Sequence, residues 1–105
     1  MRARRTDANQ RSVAAAIRAL GCPVKSLHTQ GGGVEDLLVG VQSLHGIARH
    51  GWVLVEVKVP NKSGTVKPSK FTPAQREWYA QTEGFPRLVV TGPQDAVDQL
   101  RRMAG

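Results

Sequence analysis

The amino-acid sequence predicts an α/β domain in which helices flank a central mixed sheet of four strands. Segments with strand-like alternation and segments with helical spacing follow one another in the order α-β-β-β-α-β-α. The first three predicted strands are joined by connections short enough for a meander, whereas the fourth returns after a helix. The chain of 105 residues is long enough for one domain with a single core.

The first helix is predicted from about Ala8 to Leu20. Apolar residues recur at spacings of four and three within this segment, and Gly21 stands where helices commonly end. Asp7 is the predicted N-cap residue. The preceding residues 1–6 are basic and are predicted to form a flexible arm.

Three strands are predicted next, over residues 22–27, 36–41 and 52–59. A glycine-rich loop separates the first two strands, and a polar loop over residues 60–70 follows the third. The third strand reads WVLVEVKV, with valine at every second position, so that one of its faces carries only valine.

The remaining chain predicts a helix, a strand and a helix. Thr72 can cap the second helix, Pro73 suits its first turn, and Gly84 suits its end. The fourth strand is predicted over residues 87–91, and a last amphipathic helix opens at Pro93.

Net charge and cysteine content indicate the partner and the compartment. The formal net charge is +7 and the isoelectric point is about 10.6, a balance typical of proteins that bind nucleic acid. One cysteine excludes an intrachain disulfide, and no apolar run suits a signal peptide or a membrane span, so we expect a cytoplasmic protein without a membrane partner. The candidate phosphate-binding residues are Lys62, Lys67, Lys70, Arg4 and Arg5.

Glu56 and Lys58 share the non-valine face of the third strand. A surface ion pair is the ordinary explanation of such a pattern. However, Asp36 opens the preceding strand, and antiparallel pairing would bring its carboxylate towards Glu56. Two converging carboxylates repel each other unless a cation binds between them, and their hard oxygens suit Mg²⁺ or Mn²⁺. Such an ion activates water and binds phosphate oxygens, while a nearby lysine neutralises developing charge.

These residues resemble a known signature. Asp36, followed after nineteen residues by Glu56-Val57-Lys58, resembles the signature of the PD-(D/E)xK nuclease superfamily. More narrowly, GVEDLLVG at 33–40 and TPAQ at 72–75 are similar to segments of the small stand-alone, phage-type VRR-NUC nucleases. The resemblance implies a restriction-endonuclease-like αβββαβ core and a bacterial or phage-infected host cell.

The resemblance also implies a role for each matching residue. Asp36 and Glu56 would be carboxylate ligands of Mg²⁺ or Mn²⁺, with the backbone carbonyl of Val57 as a further ligand. Lys58 would orient the attacking water or stabilise the transition state. Gln75 would reach the site from the second helix, although it also fits a capping box with the preceding threonine.

The sequence departs from the family at two places. Glu35 replaces the usual proline, and in an extended strand it would point away from Asp36. The first helix lacks the usual glutamate, for which Asp7, Asn9 or Gln10 are the available substitutes. The missing glutamate bears more on the binding of a second metal ion than on the binding of the first.

The leading functional hypothesis is a metal-dependent endonuclease that hydrolyses DNA phosphodiester bonds with structure-selective or weak specificity. Cutting both strands requires two sites, which favours a homodimer, and junction resolution falls within this class. The alternative is a non-catalytic, basic nucleic-acid-binding module with a decayed nuclease site. A structural subunit of a larger assembly is a third, weaker hypothesis.

Overall fold

The computed structural model describes residues 5–27, 30–41 and 51–104. The elements are α1 (Arg5–Ala19), β1 (Val24–Ser26), β2 (Leu37–Val41), β3 (Gly51–Val57), a 3₁₀ turn (Pro68–Lys70), α2 (Pro73–Gln81), β4 (Arg87–Val90) and α3 (Pro93–Ala104). Their order is the predicted one. Among these residues, no helix is both long enough and apolar enough to cross a bilayer.

The four strands form one mixed sheet in the order β1-β2-β3-β4. The first three strands are antiparallel neighbours, and β4 returns after α2 to pair in parallel with β3. In the register that defines the site, Leu37 pairs with Val55 and Val57 pairs with Val90. The predicted α/β architecture, a mixed four-stranded sheet flanked by helices, is confirmed.

The core lies between one face of this sheet and the two helices α1 and α3. Both helices pack on that face because their apolar residues share one side at helical spacing. Each fully buried aliphatic side chain contributes about 1.5–3 kcal/mol of transfer free energy. The core residues include Val13, Ile17, Leu37, Val39, Val53, Val55, Val57, Val90 and Leu100.

The opposite face of the sheet carries α2. This helix contains no buried residue, and its Trp78 and Tyr79 are only half-buried. Near the far end of this face, Trp52 remains 61% exposed. Apolar burial therefore contributes less to the attachment of α2 than to that of the other two helices.

Several predicted boundaries were wrong; β1 covers only Val24–Ser26, and β2 begins at Leu37, so that Asp36 precedes the strand. Helix α1 begins at Arg5, so residues 5–6 of the predicted arm are helical; residues 1–4, including Arg4, lie outside the described residues. Asp7 is consequently inside the helix rather than at its N-cap. Strand β3 ends at Val57 because its neighbour β4 ends at Val90, whose carbonyl accepts the last backbone hydrogen bond.

Candidate active site

The carboxylates of Asp36 and Glu56 converge at one end of the sheet. Asp36 directly precedes β2, whose first residue Leu37 pairs with Val55, and its carboxylate interacts with that of Glu56. Asp36 is fixed there because its Oδ2 accepts a hydrogen bond of 2.8 Å from the backbone N–H of Val57. The predicted convergence of the two carboxylates is thus found in the structure.

The environment of the two carboxyl groups favours their protonated forms. Burial, followed by the Asp36 charge, raises the pKa of Glu56 to about 7, although Lys58 and Gln75 partly oppose the shift. Burial also raises the pKa of Asp36 above its usual value, against the lowering effects of the Val57 amide and the Lys58 charge. The site is therefore short of positive charge.

Lys58 is held in place by several contacts at once. Its Nζ lies 3.2 Å from Glu56 Oε2 and donates to Gln75 Oε1 at 3.0 Å. It also donates to the backbone carbonyl of Lys70 at 2.9 Å and lies 4.9 Å from the centroid of the Phe71 ring. The side chains of Lys58 and Glu56 are only 14% and 4% exposed, so this is not the exposed surface pair that the strand pattern alone would indicate.

Gln75 has both of the roles left open by the sequence. Its backbone N–H donates to Thr72 Oγ1 at 3.1 Å and its Oε1 accepts from the Thr72 N–H at 2.9 Å, which completes the capping box. The same Oε1 accepts from Lys58, while Nε2 donates to Glu56 Oε2 at 2.8 Å. The cap of α2 and the site thus share one side chain.

Gly33 allows the segment before β2 to pass close to α2. Its φ is +80°, and a Cβ atom at this position would lie 2.4 Å from the backbone oxygen of Ala74. This is a contact within the chain, beside the first turn of the helix that carries Gln75. The glycine run, which sequence reasoning assigned to a flexible loop, therefore has a packing role at this residue.

One oxygen of the site has no partner. Glu56 is 3% exposed, and its Oε1 is buried without a hydrogen bond among the described residues. This is costly when Glu56 is ionised, whereas a protonated Glu56 shares its proton with Asp36. The Asp36 carboxylate lies beside that of Glu56. Because the N–H and C=O of one strand residue point to the same edge, the Val57 carbonyl points to the edge of β3 at which the Val57 N–H binds Asp36. The donor set, all oxygen, fits a hard divalent cation such as Mg²⁺ or Mn²⁺.

Asp36 and Glu56 are the two carboxylates that the described residues bring together at this place. Within residues 5–27, 30–41 and 51–104, no group of three or more His, Cys, Asp or Glu side chains is placed to hold a metal ion. Glu35 is engaged elsewhere, because its two oxygens accept hydrogen bonds from Trp78 and Arg87.

The first helix contributes an amide to the site. Gln10 forms a hydrogen bond with Asp36 that holds the pKa of this carboxyl down in part. Asn9 is engaged elsewhere, since its Nδ2 donates to the carbonyl of Thr91 at 3.0 Å. Gln10 thus contacts a predicted ligand, whereas the side chain of Asp7 lies outside what the structure describes.

The predicted phosphate-binding lysines lie on the connection between β3 and α2. Lys62, Lys67 and Lys70 are exposed, and the carbonyl of Lys70 contacts Lys58 directly. Arg5 lies in the first turn of α1. The structure therefore places the Lys70 end of this connection beside Lys58.

Sequence reasoning missed Tyr79 and Arg87. The hydroxyl of Tyr79 is buried without a hydrogen-bond partner in the described part of the chain, and burial together with the charges of Glu56 and Glu35 raises its pKa. Its position four residues after Gln75, on the same helix face, was the available signal. Arg87 had no such signal, because its contacts are with residues distant in sequence or on another element.

Fold and site together define a class: an α/β protein with two carboxylates, a fixed ammonium and a bridging amide at one end of a mixed sheet. Comparison of the chain with known protein families, curated proteins and solved structures found no match. The function of the chain has to be inferred from the chemistry of this site.

Proposed function

We propose that the protein is a metal-dependent endonuclease of the PD-(D/E)xK type that hydrolyses DNA phosphodiester bonds. The observation that carries this proposal is the buried, unpartnered Oε1 of Glu56 next to the Asp36 carboxylate and the fixed Lys58 ammonium. A cation bound there would satisfy the oxygen and remove the repulsion between the carboxylates. We also propose that the fold is restriction-endonuclease-like and that the chain is similar to the VRR-NUC nucleases.

Asp36, Glu56 and the Val57 carbonyl would hold the ion. When bound, Mg²⁺ or Mn²⁺ supplies Lewis acidity towards a phosphate oxygen and a water molecule. Lys58 supplies a positive charge whose position is fixed before substrate binds, because Gln75 and the Lys70 carbonyl already hold its Nζ. Such preorganised charge stabilises the negative charge that develops on the phosphorus centre without reorganisation. Gln75 keeps the ammonium and Glu56 in one arrangement.

The substrate class follows from charge. The net charge of +7 and the exposed Lys62, Lys67 and Lys70, on the connection between Lys58 and α2, favour contact with a DNA backbone. We expect structure-selective or weakly specific cutting, with junction resolution as one form of it. Cutting both strands favours a homodimer, and the cytoplasm of a bacterial or phage-infected cell is the expected compartment.

The test is a cleavage assay on labelled linear duplex, single-stranded, flap and four-way-junction DNA, with Mn²⁺ or with chelator. We expect metal-dependent products, and we expect Lys58→Ala to lose at least about 100-fold in cleavage rate because the transition state loses a fixed charge. DNA binding by Lys58→Ala should persist. Lys25→Ala, which removes an exposed lysine of β1, is the matched control and should cut like the parent. Absence of cleavage on every substrate, with DNA still bound, would refute the enzymatic proposal.

A non-catalytic DNA-binding module is the second candidate. The observation that favours it is Gln10, an uncharged amide at the place where the family usually has a glutamate. A binder needs no metal, so Mn²⁺ would leave its unfolding temperature unchanged. A nuclease site should bind Mn²⁺ and lose it in Asp36→Ala. A structural subunit would show neither metal binding nor DNA affinity at moderate salt.

A further inference from the structure

We propose that the buried Glu35–Arg87 ion pair is a positioning device: it fixes α2 on the sheet and thereby aligns Gln75 with Lys58 and Glu56. Its catalytic consequence rests on the proposed nuclease function. Its structural consequence, the alignment of Gln75, does not.

Glu35 bridges three segments of the chain. Its side chain is 0% exposed, and both of its oxygens are engaged. Oε1 accepts a hydrogen bond of 2.6 Å from the indole Nε1 of Trp78, and Oε2 accepts one of 2.7 Å from Nε of Arg87. The carboxylate therefore joins the start of β2 to helix α2 and to the start of β4.

Arg87 extends the connection along the helix. Its guanidinium lies 4.1 Å above the centroid of the Tyr79 ring, and its Nη2 donates to Thr82 Oγ1. The planar guanidinium allows stacking and directed hydrogen bonds at the same time, which an ammonium does not. Three residues of α2 and its C-terminal cap, namely Trp78, Tyr79 and Thr82, thus contact this one ion pair.

The pair matters because α2 lacks the usual apolar attachment. No residue of the helix is buried, whereas most helices in proteins are held by packing of an apolar face. Gln75 lies three residues before Trp78 and four before Tyr79, so all three project from one side of the helix. A rotation or shift of the later turns would move the Gln75 amide away from Lys58 and Glu56.

The same pair fixes the other half of the site. Glu35 directly precedes Asp36, whose carboxylate accepts the Val57 N–H at 2.8 Å. Holding Glu35 therefore also holds the backbone from which Asp36 projects. Burying an ion pair is costly compared with apolar packing, so alignment rather than stability is the better account of this arrangement.

The test uses Glu35→Gln, which leaves an oxygen to accept from Trp78 but turns an amide towards Arg87. We expect the side-chain amide signals of Gln75 to shift in ¹⁵N NMR spectra of the metal-free protein. We expect kcat for DNA cleavage to fall about 10- to 100-fold with KM unchanged, as when other supporting hydrogen bonds of a metal site are removed. Glu77→Gln, which neutralises an exposed acid of the same helix, is the control and should change neither measurement.

Trp78→Phe is the second variant, in case Glu35→Gln does not fold. It removes the indole N–H together with the smaller ring, keeps an aromatic side chain, and should shift the Gln75 signals in the same direction but less. Unchanged Gln75 signals in the folded variants would overturn the proposal, as would a lowered unfolding midpoint with unchanged kcat per folded molecule. If the parent protein cuts no DNA, the proposed function fails, and the Gln75 signals alone still decide whether the ion pair positions the helix.

Discussion

At the scale of single residues, Glu56 is a group that binds its proton more tightly in the folded chain than in the unfolded chain. Burial and the neighbouring Asp36 charge raise its pKa from 4.5 to about 7 in the folded protein. The folded state therefore keeps a proton that the unfolded state releases. Since stability falls with pH wherever the folded state binds more protons, this group destabilises the metal-free fold as pH rises from about 4.5 to about 7.

We predict that Glu56→Gln reduces the pH dependence of stability. The shift of the Glu56 pKa from 4.5 to about 7 corresponds to on the order of 3 kcal/mol. The free energy of unfolding falls by this amount across that pH window and does not change further above it. The substituted amide is nearly isosteric and does not titrate. Urea unfolding at pH 5 and pH 8 in the presence of chelator measures the difference, with Glu77→Gln as the exposed control. Equal losses of stability in the parent and in Glu56→Gln would contradict the assigned pKa shift.

At the scale of elements, the site depends on how the segment before β2 meets the first turn of α2. Gly33 and Ala74 are in such close backbone contact that no Cβ atom fits between them. The contact brings the loop that leads into Asp36 next to the turn that carries Gln75. Two elements that are otherwise linked by polar side chains thus also meet through their backbones.

Gly33→Ala is therefore predicted to be more harmful than Gly31→Ala. Both glycines have positive φ, at +80° and +67°, so both substitutions carry a backbone cost of about 1–2 kcal/mol. Only the Cβ at Gly33 meets another atom, at 2.4 Å from Ala74 O, whereas nothing lies within 4 Å of the one at Gly31. We expect Gly33→Ala to lower the free energy of unfolding by roughly 1–3 kcal/mol more than Gly31→Ala does. Chemical denaturation measures both free energies of unfolding. Equal losses in the two variants would show that α2 shifts to admit the added methyl group at little cost.

At the scale of the whole molecule, the meander of the first three strands could be predicted because it follows from local signals. Valine alternation sets β3, short connections favour a meander, and the register of β2 with β3 brings Asp36 to Glu56. The Glu35–Arg87 pair could not be predicted, because its two residues are 52 positions apart. Their meeting requires both the return of β4 beside β3 and the placement of α2 over the sheet, neither of which is marked by a local pattern.

The distribution of charge gives the last prediction. If the β3–α2 connection binds DNA phosphates, each lysine there releases counterions, and the slope of log K against log salt changes by about 0.9 for each phosphate that is no longer neutralised. A double variant, Lys62→Ala with Lys67→Ala, should therefore make the slope shallower by about 1.8.

The control is a second double variant, Lys25→Ala with Arg101→Ala. It also removes two positive charges, from exposed positions on β1 and α3, and should leave the slope nearly unchanged. Binding is measured with chelator, so that DNA stays intact. If both double variants change the slope equally, DNA binding depends on net charge alone, and the DNA backbone does not lie along the β3–α2 connection.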